Sequence, residues 1–138
     1  IHTIKGTRIL LVEDNELNAE IAKTVLEDDG ALVTRVEDGQ QAVELFKEKP
    51  TGTFDAILMD LMMPVMDGYT ATKKIRSLER LDAKTIPIIA MTANAFQEDA
   101  EKCIAVGMNA HLAKPLDIEK VMITICHLVK KKDSITIY

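Results

Sequence analysis

Apolar residues gather into five short runs along the chain, and after each run they recur at intervals of three and four. Arg8–Val12, residues 31–36, 56–59 and 86–91, and Ala110–Ala113 have the length of strands. Runs this short and this continuously apolar fit strands buried on both faces. The stretches between them read as helices. Leu17, Ile21, Val25 and Leu26 form a first stripe, which Gly30 ends, and Ala42, Leu45 and Phe46 a second, which Pro50 and Gly52 terminate. Asp67 is a good N-cap for a third helix burying Ala71, Ile75 and Leu78. Phe96, Ala100, Cys103 and Ile104 mark a fourth before Gly107. Asp117 caps the fifth, with Ile118, Val121, Met122, Ile125, Leu128 and Val129 on its core face. Lys130, Lys131 and Lys132 suit the C-terminus of that helix and read as its solvated end.

Five strand–helix repeats imply an α/β fold in which a doubly wound parallel sheet carries helices on both faces. Residues 1–7 have no periodicity and read as a linker, residues 8–131 as one domain, and 132–138 as a tail. The length of 138 residues fits that single unit. Composition adds little beyond this. With 47% apolar residues the chain is globular, and a net charge of −5 argues against a nucleic-acid surface. Cys103 and Cys126 lie far apart inside helical patterns, as core thiols of a reducing compartment do, rather than as a metal pair. No apolar run reaches the ~20 residues of a membrane span, and no signal peptide opens the chain, so the expectation is a soluble, cytoplasmic domain. Its start at Ile1 rather than Met reads as a piece of a longer protein.

The chemistry lies where the strands end. In an open parallel sheet every strand delivers its last residue to one rim, the edge at which ligands bind. That rim would gather Glu13 and Asp14, Asp60, Thr92 and Lys114. Asp60 alone could be no more than a turn cap. Three carboxylates close together, however, raise one another's proton affinity unless a cation offsets them. All-oxygen ligation that also accepts phosphate oxygens describes Mg²⁺. A Thr92 hydroxyl and a Lys114 ammonium would complete a cradle for a phosphoryl group, with Asp60 as a carboxylate nucleophile. Met59, Met62, Met63 and Met66 could point to a soft metal, but the acidic donors outweigh them.

Taken together, Val12-Glu13-Asp14-Asn15, Met59-Asp60-Leu61-Met62-Met63-Pro64 with Met66-Asp67-Gly68, Ala90-Met91-Thr92-Ala93 and Ala113-Lys114-Pro115 make the chain resemble the receiver domain of two-component response regulators along nearly its whole length. The resemblance implies a flavodoxin-like five-stranded sheet of order 2-1-3-4-5, for which a member of this family is a standing example. It implies Asp60 as phosphoacceptor, and Glu13, Asp14, Asp60 and the main-chain carbonyl of Met62 as ligands of Mg²⁺. It assigns Thr92 and Lys114 to the phosphoryl group, and it makes the Lys114–Pro115 bond cis. The implied donor is a phosphohistidine on a histidine kinase or a histidine phosphotransfer protein, and the domain would catalyse its own phosphorylation. The implied switch moves Thr92 and the residue three before the lysine, remodelling the face of the fourth helix, fifth strand and fifth helix.

Departures from the family pattern carry their own expectations. The family usually has Tyr or Phe where this chain has His111, a smaller, titratable ring whose plainer reading is a partly exposed filler. Met62 and Asn94 sit two residues beyond Asp60 and Thr92, where side chains of this family influence the approach of water to the acyl phosphate. A haloacid-dehalogenase-type phosphatase would need a second Asp where Met62 stands. A flavodoxin would not line its first phosphate loop with Glu13 and Asp14. A degenerate receiver used only for docking would not need the intact acidic set. Asn18 and the segments 91–95 and 107–110 resemble receivers fused to hybrid sensor histidine kinases, and so place the chain in a phosphorelay.

Overall fold

A computed structural model gives the structure of residues 4–93 and 97–136. Five strands, β1 (Arg8–Val12), β2 (Leu32–Val36), β3 (Ala56–Asp60), β4 (Ile88–Thr92) and β5 (Ala110–Ala113), form one parallel sheet in the order β2-β1-β3-β4-β5. Around it lie α1 (Glu16–Asp28), α2 (Gly39–Glu48), α3 (Gly68–Arg76), α4 (Leu81–Thr85), α5 (Gln97–Val106) and α6 (Ile118–Thr136). Strands β3 and β4 are buried at every residue and β1 at all but Arg8, which is why they read as unbroken apolar runs.

Alternation along the strands divides the core in two. Leu10, Val12, Ile57, Met59, Ile88 and Ala90 face Phe46 of α2, Ile75 of α3 and Cys103 of α5. Ile9, Leu11, Leu58, Ile89 and Met91 face Ala22 and Leu26 of α1 and Val121 and Ile125 of α6. Cys103 is buried in the first layer and Cys126 packs against the second. Both layers clamp the sheet, and the rim at the strands' C-terminal ends is left for chemistry.

Several expectations need correction. Leu26 is buried as expected, but Leu17 and Ile21 are exposed and Ala19 and Ala22 bury instead, because small residues let α1 approach the sheet closely. Ile104 of α5 is likewise exposed. Ile4, read as linker, is fully buried against the second layer, and Gly6 N–H donates to the Gly30 carbonyl at 2.8 Å. Helix α4, unforeseen, follows Arg80, while the strand expected from residue 86 begins at Ile88, after Pro87, which has no N–H to give a ladder. Helix α6 runs past Lys130, Lys131 and Lys132 to Thr136. Asn94, Phe96 and the side chains of the three lysines lie outside the described residues.

Candidate functional site

Each member of the rim arrives at the end of a strand. Glu13 follows the last residue of β1, Asp60 closes β3, Thr92 closes β4 and Lys114 follows β5. Local capping starts the adjoining helices at once. The Asn15 side chain accepts from Asn18 N–H at 2.9 Å, and the Asp67 side chain from Thr70 N–H at 2.8 Å, so both acidic loops are anchored at a helix N-terminus. Asp117 behaves as the expected cap, accepting from Glu119 N–H at 3.0 Å.

One carboxylate oxygen from each of Glu13, Asp14 and Asp60 lies within 4.8 Å of the others. Glu13 and Asp60 are only 2% and 5% exposed, whereas Asp14 is open to solvent. The Lys114 ammonium sits between the two buried acids, 2.9 Å from Glu13 Oε2 and 3.0 Å from Asp60 Oδ2. Burial pushes the Asp60 pKa up, Lys114 pulls it back, Glu13 pushes it up again, and the result is about 6. Burial alone would lower the Lys114 pKa, but its hydrogen bonds to Glu13 and Asp60 outweigh that and raise it. Two of the three acids, Glu13 and Asp60, thus share the Lys114 ammonium, while Asp14 converges on them without an ion pair to it. The uncompensated charge and the all-oxygen donor set fit a hard divalent cation such as Mg²⁺.

The remaining predicted residues fall close by. Met62 N–H donates to Asp60 Oδ1 at 3.3 Å while its side chain is 78% exposed. Thr92 is buried, and its carbonyl accepts from Lys114 N–H at 2.8 Å. The Lys114–Pro115 peptide is cis, as expected. His111 is half-buried on β5 opposite Ala90, set back along the strand from the carboxylates. Met59 is fully buried and Met63 and Met66 pack against the first core layer. Only Met62 of the four is exposed.

Two contributors were not foreseen. The Arg35 guanidinium, from β2, donates to the carbonyls of Glu13 and Asp14. Its signal was available: one basic residue near the end of an otherwise largely apolar run, on the strand beside β1. Gly68 packs directly over the Asp60 carbonyl, its N–H donating to the Leu61 carbonyl at 3.0 Å. A side chain there would collide with the backbone of the site.

Comparison with known proteins agrees with this geometry. Residues 9–125 match the family model described as the response regulator receiver domain. The chain is 40% identical to Histidine kinase 1 of Arabidopsis thaliana, with 93% of the chain aligned to 13% of that protein. It is also 40% identical to Hybrid signal transduction histidine kinase B of Dictyostelium discoideum, with 92% of the chain aligned to 7% of the kinase. The chain therefore spans a small part of these relatives. Among solved structures, it is similar to the receiver domain of a sensor histidine kinase from Pseudomonas aeruginosa, at 43% identity and a TM-score of 0.81. That match covers 91% of this chain and 98% of the other, whose active-site cleft coordinates a magnesium ion.

Proposed function

The chain belongs to the family of response regulator receiver domains, and from that premise we propose the role of each residue in its site. Asp60 accepts a phosphoryl group from a phosphohistidine of a histidine kinase or histidine phosphotransfer protein. Glu13, Asp14, Asp60 and the main-chain carbonyl of Met62 hold Mg²⁺, and Thr92 and Lys114 bind the transferred group. The observation that carries this reading is the Lys114 ammonium held by Glu13 and Asp60, beside three converging carboxylates.

With a pKa of about 6, Asp60 is mostly ionised at neutral pH and keeps a lone pair for attack. Its oxygen bonds to phosphorus as the phosphorus–nitrogen bond of the donor breaks, and the imidazole departs with that electron pair. The departing imidazole, left with the pair, takes up a proton, and the phosphoryl group brings its own negative oxygens onto Asp60. Lys114 need only shift from the carboxylate to those oxygens to remain paired, and Thr92 adds a hydroxyl donor. Bound Mg²⁺ supplies neutralisation and orientation of the phosphoryl oxygens.

The unit that does this extends from the buried Ile4 through α6, and we place it in the cytoplasm, as the receiver segment of a hybrid sensor kinase. The sequence likeness to hybrid kinases supports that placement, and no described helix is long and apolar enough to cross a membrane. Thr92 and His111 form the switch, acting on the face built from α5, β5 and α6. A docking-only receiver is disfavoured by the intact acidic set.

Incubation with Mg²⁺ and acetyl phosphate tests the assignment. Intact mass should rise by one phosphoryl group in the parent chain, and neither in Asp60→Asn nor after chelation of the metal; a gain that survives Asp60→Asn refutes the role of Asp60. The exposed Met62 side chain has no polar atom suited to holding an attacking water, so Met62→Asn should shorten the lifetime of the phosphorylated form. Unchanged decay, followed by loss of the added mass with time, contradicts this.

A further inference from the structure

We propose that Arg35 is a positioning residue for the metal-binding turn, its guanidinium clamping the main-chain carbonyls that carry Glu13 and Asp14. The inference rests on the reading of Glu13, Asp14 and Asp60 as a Mg²⁺ site.

The turn leaves the sheet just past its last β1–β2 pair, Val12 with Val36, where the regular ladder ends. Arg35 reaches forward from β2 to take over. Its Nε and Nη2 donate to the Glu13 carbonyl at 3.1 and 2.9 Å, and Nη2 also approaches the Asp14 carbonyl at 3.4 Å. Glu13 N–H donates to the Val36 carbonyl at 3.2 Å, so β2 grips Glu13 through both its N–H and its C=O. On the far side, Asn15 caps α1 through Asn18 N–H. The two acids are thus fixed from both ends, which matters most for Asp14, whose exposed side chain gains nothing from core packing. A planar fork suits the task, because two of its N–H groups converge on one carbonyl, which a lysine ammonium cannot reproduce.

Charge alone predicts the opposite effect. A guanidinium beside a cation site repels the cation, so its removal should tighten metal binding if Arg35 acted only through its field. Positioning predicts weaker binding. The sign of the change therefore separates the two.

The test is the Mg²⁺ dissociation constant of the full chain, by titration calorimetry, for the parent, Arg35→Met and Arg35→Lys, with metal-free urea unfolding and circular dichroism alongside. Loss of an outer-shell partner typically weakens a metal site about tenfold or more, and that is the expectation for Arg35→Met. Arg35→Lys keeps the charge without the fork and should also bind more weakly than the parent. Affinity equal to or tighter than the parent's in either folded variant overturns the proposal. Where Arg35→Met does not fold, Arg35→Lys decides alone. A parent chain that binds no Mg²⁺, or binds it equally well after Asp60→Asn, overturns the metal site itself, whatever the Arg35 variants do.

Discussion

Gly68→Ala is expected to lose about 2 kcal/mol of stability or more, the usual cost of forcing a methyl into packed surroundings, and to slow phosphorylation of Asp60 about a hundredfold. A Cβ at Gly68 would overlap the Asp60 carbonyl oxygen and lie 3.0 Å from Met59 Cγ. Backbone is the first obstacle, so no rotamer change relieves it. Either α3 backs away, breaking the Gly68 N–H bond to Leu61, or the end of β3 shifts and carries the Asp60 carboxylate with it. Gly39 is bound to the same loop, with its N–H donating to the Met66 carbonyl at 3.1 Å and a Cβ there lying 2.5 Å from that oxygen, which limits any retreat. Urea midpoints and rates of labelling by acetyl phosphate measure the two effects. A variant with the parent's midpoint and rate would show that the loop is not confined by this contact.

Asp82→Ala should destabilise the fold by about 3 kcal/mol, the cost of breaking a buried ion pair from one side. Arg80 meets Asp82 through two parallel bonds of 2.9 Å, with the two side chains only 18% and 7% exposed. Arg80 Nη1 also donates to the carbonyls of Phe46 and Lys49 at 2.9 Å and of Lys47 at 3.3 Å, closing the C-terminal end of α2. Its guanidinium lies 4.9 Å from the centre of the Phe46 ring. Asp82 in turn accepts from Gly52 N–H at 3.1 Å. Removing the carboxylate strands a guanidinium and an amide together.

The same pair makes stability depend on pH. Burial alone would raise the Asp82 pKa, but the bonds from Arg80 and Gly52 and the Arg80 charge outweigh it and hold it below the ordinary value. A carboxyl with a depressed folded pKa stabilises above its unfolded pKa of about 4, and that stabilisation disappears as pH falls through the folded value. The parent should therefore lose more stability than Asp82→Ala as pH falls below about 4. Parallel pH profiles, or an unchanged midpoint at pH 7, would count against the pair.

What the sequence made legible follows from how far apart the cooperating residues lie. The buried strands and Asp60 at the end of one of them are local patterns, and the rim follows once the strands are taken as parallel. Helix α1 misled because its apolar surface is wider than its buried stripe: Leu17 and Ile21 are larger than Ala19 and Ala22 but face solvent. Helix α4 has only five residues, too few for a period, and its neighbour Arg80 anchors to carbonyls more than thirty positions away. Arg35 escaped notice for a similar reason. Its partners are main-chain carbonyls 21 and 22 positions earlier, and a carbonyl leaves no mark in the sequence.

The central claim, that Asp60 carries the phosphoryl group, is tested most directly by treating the phosphorylated chain with borohydride, which reduces an aspartyl phosphate to homoserine, and sequencing the resulting peptides by mass spectrometry. Homoserine at position 60, dependent on both acetyl phosphate and Mg²⁺, is the predicted result. Homoserine at Asp14 or elsewhere, with position 60 still aspartate, would contradict it.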